Sequence, residues 1–336
     1  MLRARRLIVW LAASLLAMPA LATGNDALVF VANQDAATVS VIDSGADEVI
    51  ASIPVAFAPA GIAADPSGAT LYVTHPERGE ITVIDADQRK VVRTLKVGGT
   101  PFGIAVSHDG TTFVSDWNKD TVTAADPQTG KVLRRAAVGR APAGVVTSPG
   151  GSLVFVANRE SNTVSILNAT TLNVVATIPV GRAPFALTVS PDGRWLYVAN
   201  VQSANISVIS IETLKPVATV SAGPMPYGLA TTRDGGRLLV ASQGAGTVSI
   251  LDSSSLRTIA SGKVGRFPEG VGIGPRDDKA YVANWFSGDV SVLDISTGKE
   301  LKRIRTGGGS RALVVVARGH GKEAADPNAT TNGLQP

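Results

Sequence analysis

Ser190-Pro191-Asp192-Gly193-Arg194-Trp195-Leu196-Tyr197-Val198-Ala199-Asn200 is the stretch that decides the fold. Pro191 presets its own φ and Gly193 supplies a positive one, so residues 190–193 read as a turn. The aromatic and β-branched run 195–198 that follows reads as a strand. Working outward, another such run (185–189) precedes the turn, and two more (206–209 and 217–220) follow the strand. Turn chemistry separates all four, and no helical period lies between them.

The unit recurs along the chain. Tetrapeptides like Tyr197-Val198-Ala199-Asn200 start at Phe30, Tyr72, Phe113, Phe155, Tyr197, Leu239 and Tyr281, spaced 42, 41, 42, 42, 42 and 42 residues apart. A second marker keeps step: Pro59, Pro101, Pro142, Pro184, Pro226 and Pro268, with Ser310 in the seventh place. Four strands per unit and seven units predict an all-β fold, a seven-bladed β-propeller of four-stranded antiparallel blades. The run after each marker proline is the expected innermost strand. The chain then enters the first blade at its second strand and finishes on an inner one. Residues 313–316 are therefore expected to join 28–32, 38–42 and 48–53 in one blade, tying the termini together and removing open edges.

Residues 1–22 read as a secretory signal: a basic head (Arg3, Arg5, Arg6), an apolar run from Leu7 to Met18, and the small-x-small Ala20-Leu21-Ala22 before cleavage after Ala22. Residues 23–318 form the propeller, and 319–336, almost without apolar residues, read as a disordered polar tail. This predicts a periplasmic protein. The chain has no cysteine, which removes disulfides, thiolate metal sites, a Cys nucleophile and lipidation at cysteine. Of the formal charge of +4, three units are the leader arginines, leaving about +1 and little general attraction for polyanions.

The F/Y-V-A-N tetrapeptide, Thr38-Val39-Ser40-Val41-Ile42-Asp43, Val180-Gly181-Arg182-Ala183-Pro184 and the Ser190 to Gly193 turn together resemble the YVTN-repeat family of bacterial and archaeal β-propellers, of the YncE-like kind. The likeness runs over residues 27–316. The resemblance implies a periplasmic or cell-surface location. Some members look like companions of quinoprotein dehydrogenase systems and some bind single-stranded DNA, while lactonases and amine dehydrogenase heavy subunits are distant fold relatives. The repeat specifies blades and carries none of these activities by itself.

Blade topology sorts the loops onto two faces. One receives Phe57, Phe102, Phe185, Tyr227, Phe267, Trp117, Trp285 and Phe286, together with Arg140, Arg182, Arg266 and Arg311; Glu77, Asp116, Glu160 and Glu269 accompany them. Aromatic residues make up only 5% of the chain, so this concentration marks a candidate binding face. Phe102, Phe185 and Tyr227 follow marker prolines, where they either plug the axis or line a site. Trp117, Trp285 and Phe286 lie in loops after second strands. Arg140, Arg182 and Arg266, two residues before the prolines, are expected around the channel mouth, where guanidinium groups bind carboxylate or phosphate.

A catalytic reading rests on His75, the one histidine on that face, with Glu77, Asp116 and Arg140. The Gly-x-Ser-x-Gly elbow of hydrolases, the P-loop, the EF-hand loop and the His-Glu-x-x-His motif do not occur, and one histidine makes no zinc site. No metal and no cofactor are predicted. Residues 62–64, 104–106, 145–147, 187–189, 229–231, 271–273 and 313–315 hold no ionisable side chain, which predicts an apolar channel wall. The leading expectation is a monomeric, non-enzymatic binding protein with a periplasmic protein partner, an accessory to a quinoprotein or cytochrome-linked system. A lactonase-like hydrolase is one alternative. Binding of an anionic small ligand or of single-stranded nucleic acid, by stacking and phosphate contacts, is another.

Overall fold

The computed structural model describes residues 27–318. The leader, its cleavage position, the tail and His320 lie outside these residues. Within them, 28 strands form seven four-stranded antiparallel sheets, arranged as the blades of a propeller. Among the described residues no helix is long and apolar enough to cross a membrane.

Blade 1 is the one that closes the ring. Its inner strand, Ser310–Ala317, pairs antiparallel with the second strand Ala27–Asn33, in register from Ala27 opposite Ala317 to Asn33 opposite Ser310. Strands Thr38–Asp43 and Glu48–Pro54 complete it outward. Blades 2 to 7 follow in chain order as residues 62–96, 101–137, 142–179, 184–221, 226–263 and 268–305. The closing seam is reinforced by polar contacts from blade 7. Tyr281 donates its hydroxyl to Asp47 Oδ1 at 2.7 Å, and Lys279 pairs with Asp47 at 2.6 Å.

Burial explains the residue pattern strand by strand. The second strand of a blade packs against both neighbouring blades, so it is buried along nearly its whole length and reads as a continuous apolar run: Phe30, Phe113, Phe155, Tyr197 and Tyr281 are almost completely inaccessible. Outer strands are largely exposed and alternate only in their second half, where Ile53 of Glu48–Pro54 and Leu95 of Lys90–Lys96 turn inward. Apolar clusters span blade boundaries. Phe155 and Ile166 of blade 4, for example, pack with Leu187, Val198 and Ile209 of blade 5.

The fourth residue of the tetrapeptide is a hairpin latch. Asn33, Asn158, Asn200 and Asn284 are buried, and each donates Nδ2 to side chains five and seven residues on, at 2.7 to 3.0 Å. That pins the third strand to the second where both reach the loop face.

Candidate functional site at the channel mouth

The loops after second strands and those entering inner strands do share one face. They are joined by backbone bonds such as Gln34 N to Gly309 O (2.8 Å), Trp285 N to Phe267 O (2.9 Å) and Trp117 N to Thr100 O (3.1 Å). Six of the seven inner strands begin at the marker itself, as in Pro268–Ile273 and Ser310–Ala317. The sequence reading started them about three residues later and so predicted an uncharged wall. At the mouth that expectation fails, because in six blades the first position after the marker lines it: Ala60, Phe102, Phe185, Tyr227, Glu269 and Arg311 in blades 2, 3, 5, 6, 7 and 1.

This ring surrounds a recess of about 230 Å3 at the head of the channel, whose deeper lining (Ile62, Ile104, Leu187, Leu229, Val271, Leu313) is apolar as predicted. One side of the ring is aromatic. The centroids of Phe185 and Tyr227 are 4.0 Å apart, those of Phe102 and Phe185 5.7 Å, and Trp117 stands behind Phe102 at 4.9 Å. The other side is ionic. Arg311 reaches across the opening, its guanidinium carbon 5.2 Å from the Phe102 ring centroid and one terminal nitrogen 3.3 Å from the Tyr227 hydroxyl. The other terminal nitrogen donates to Gln34 Oε1 at 3.0 Å, an oxygen that also accepts the Trp285 indole N–H at 3.1 Å.

Glu269 lies 3.2 Å from Arg311 Nε through Oε2. That oxygen is buried and the approach is not aligned for a hydrogen bond, whereas Oε1 accepts one from Gln243 Nε2 at 2.8 Å. Burial pushes the Glu269 carboxyl up to about 7, with Arg311 and Gln243 only partly opposing it. Burial likewise raises the Tyr227 phenol. It works against the charge of Arg311, but Glu269 and Tyr227 hold that charge in place.

The remaining predicted site residues separate into other positions. Arg140, Arg182 and Arg266 are exposed and do not line the recess, a correction to their expected place at its mouth. Arg140 and Arg182 turn to the carbonyls of Glu160 (3.1 Å) and Gln202 (3.4 Å) in the adjoining loop of the same blade, and Arg266 lies over Phe286 at 5.3 Å. Trp117 and Trp285 are half-buried against the mouth. Phe286 is 55% and Phe57 56% exposed, and Phe267, partly exposed, has its ring 5.2 Å from that of Phe286. Beside Trp285 and Phe286 a shallow groove of about 580 Å3 runs between blades 7 and 1, lined by Asp35, Asp289, Arg305 and Gly307 to Gly309.

His75 is completely buried, contrary to its expected place among the working side chains. Nδ1 faces the Phe57 carbonyl at 3.2 Å, which makes it the N–H donor, so Nε2 accepts from the Thr82 hydroxyl at 2.9 Å. It is the latch of blade 2, an imidazole in the place of asparagine. Asp116 accepts from the Thr100 and Lys119 amides at 3.1 and 3.2 Å, and no hydrogen bond joins it to His75. Glu77 is exposed on the short turn Pro76–Arg78. The four residues of the hydrolytic reading thus form no constellation. Gln34 and Gln243 were not singled out in the sequence at all. Their signal is positional: both directly follow a fourth-slot residue, as do Trp117 and Trp285.

A family model described as a YNCE-like β-propeller matches residues 4–111, and one described as a lactonase, seven-bladed β-propeller, matches 108–215 and 174–271. Comparison with curated protein sequences returns no match. Among solved structures the chain is similar to a functionally unknown protein from Desulfotomaculum acetoxidans (16% identity, TM-score 0.77, covering 86% of this chain and 98% of that one). It is also similar to the Kuenenia stuttgartiensis hydrazine synthase (24%, 0.70, 79% and 91%) and to the dihydro-heme d1 dehydrogenase NirN in complex with DHE (18%, 0.64, 91% and 78%). At these identities the likeness is one of fold.

Proposed function

The chain belongs to the YNCE-like seven-bladed β-propellers of the YVTN-repeat type, and on that premise we propose that it is an exported, periplasmic binding protein without catalysis of its own. Its partner is a protein that docks on the loop face beside blade 7. The observation that carries this reading is Phe267. Its bulky ring is held exposed at φ 54°, in the slot where Ala58, Ala141, Ala183 and Met225 take the same left-handed conformation and no other blade places an aromatic ring. A bulky side chain there costs roughly 1 to 3 kcal/mol and recurs where function demands it. Phe267, Phe286, Trp285 and Arg266 form one aromatic and cationic patch at the edge of the blade 7 groove, the composition of an interface centre. The YVTN-repeat resemblance supports seeking the partner among quinoprotein or cytochrome-linked oxidation systems.

The test is mild crosslinking in the periplasm, purification and mass spectrometry. A stoichiometric companion is expected, lost from Trp285→Ala/Phe286→Ala. Phe267→Gly should capture less of it while unfolding at a higher urea concentration, because glycine relieves the strained slot. A chain that emerges alone, or a companion indifferent to all three residues, overturns the reading.

A second reading, lactonase-like hydrolysis, is favoured by the match to the lactonase model over residues 108–271. The acid available to it at the mouth is Glu269, and turnover of simple lactones that disappears in Glu269→Gln is its expected signature. A lactone panel without turnover removes it.

A further inference from the structure

The recess contains an arginine whose fork is not taken by its own acid. A matched pair would join both terminal nitrogens, or Nε and one of them, to two carboxylate oxygens. Here Glu269 meets only Nε, at 3.2 Å and out of hydrogen-bond alignment, while the terminal nitrogens rest on neutral partners, Gln34 and the Tyr227 hydroxyl, the latter at 3.3 Å. Glu269 is itself buried, with one oxygen lacking any hydrogen bond, and the residue lines the cavity together with Arg311, Tyr227, Phe185 and Phe102. Unsatisfied buried polar atoms are costly in a folded protein, and a ligand is one way of satisfying them.

We propose that the recess is a binding site for a small planar carboxylic acid, whose ring lies against Phe102, Phe185 and Tyr227 and whose carboxylate takes the Arg311 fork while Glu269, protonated, donates to it.

The charge of the ligand follows from what the aromatic wall already holds. A cationic ligand would be brought up against the Arg311 guanidinium, which lies 5.2 Å from the Phe102 ring centroid and would repel it. An anion instead replaces a weak neutral contact with a charge-assisted one. Its size follows from the volume: about 230 Å3 is below the roughly 300 to 1,000 Å3 of sites for drug-sized molecules, so one ring and a short acid arm fill it. Two carboxylates on one guanidinium repel, so binding draws one proton from solvent onto Glu269. Burial has already raised its affinity for that proton to about 7. The charged and titratable groups around Glu269 are Arg311 from blade 1, Tyr227 from blade 6 and, beyond Tyr227, Arg159 from blade 4. The phenol stays protonated and Arg311 stays charged through neutral pH, leaving Glu269 as the group that titrates.

This goes beyond partner docking and stands or falls without it. Benzoate is the probe, titrated into the mature chain with tryptophan fluorescence and calorimetry as readouts, Trp117 lying behind Phe102. Saturable binding is expected, with uptake of close to one proton at pH 8 measured in two buffers of different protonation enthalpy. Affinity should fall about tenfold per pH unit above about 7, the slope of a single linked proton. Arg311→Lys, which keeps the charge opposite Glu269 and loses the fork, should weaken binding at least tenfold. Glu269→Gln should bind without proton uptake. Benzylamine, a cation of the same shape, should not bind. The proposal is overturned if benzoate fails to saturate the folded wild-type chain, if benzylamine binds equally well, if Arg311→Lys binds as the wild type does, or if wild-type binding takes up no proton.

Discussion

A single substitution of latch chemistry shows how the residue scale misleads and then explains itself. In sequence His75 stands out because histidine is rare in this chain and catalytic elsewhere. In space it does in blade 2 what asparagine does in blades 1, 4, 5 and 7: it holds the hydroxyl seven residues on. Burial disfavours its charged form and sets its pKa below the ordinary 6.5. As pH falls below 6.5 the unfolded chain takes up a proton that the folded chain resists, so stability is retained above that pH and drains away below it. His75→Asn should therefore fold with near wild-type stability at pH 7.5 and lose less between pH 7.5 and 5.5. His75→Leu, which orphans the Thr82 hydroxyl and the Phe57 carbonyl, should cost about 1 to 3 kcal/mol. Urea melts at the two pH values measure both. Sequence spacing could have exposed the latch, since an oxygen-bearing residue stands seven positions after the slot in each of these blades. Residue type drew attention elsewhere.

At the scale of the element, the inner strands repay attention. Their second position after the marker is glycine in five blades (Gly61, Gly103, Gly144, Gly228, Gly270) and alanine in the other two (Ala186, Ala312). A Cβ on Gly61 would lie 2.6 Å from the Phe102 carbonyl, and one on Gly103 would overlap that of Ala143. Glycine thus sets how closely neighbouring inner strands approach, and with it how far the ring of mouth residues crowds the axis. Gly103→Val should cost about 1 to 3 kcal/mol by overpacking, read as a lower urea midpoint, and should disturb the Phe102 and Trp117 pair, read as a shifted tryptophan emission. Strand existence was plain from the repeats because turn and strand chemistry alternate every few residues. The start of the inner strand was not, because a proline and a glycine at its head read locally as breakers while the blade's pairing overrides them. That three-residue error left Glu269 and Arg311, although read as loop-face residues, off the channel wall they line.

For the molecule as a whole, closure was legible from the order of the strands: a chain that starts on a second strand and ends on an inner one has one way to finish the ring. A chain ending at Gly309 would leave the buried strand Ala27–Asn33 without its inner partner and uncover Phe30 and Val31. It should lose the single cooperative unfolding transition and elute as aggregates, whereas a chain ending at Arg318 should behave as the whole does. Which side chains meet at the mouth from non-adjacent blades could not be read, because Arg311 and Tyr227 lie 84 residues apart and no pattern in one repeat foretells a contact between two others. The paired register of Ala27 with Ala317 has a further geometric meaning. Both ends of the propeller leave from the side away from the channel mouth, next to each other, so a surface, a bead or a fused domain joined directly at Ala27 or Arg318 becomes a pedestal. The disc then stands with its recess and blade 7 groove turned outward, the orientation in which an immobilised sample meets whatever flows past.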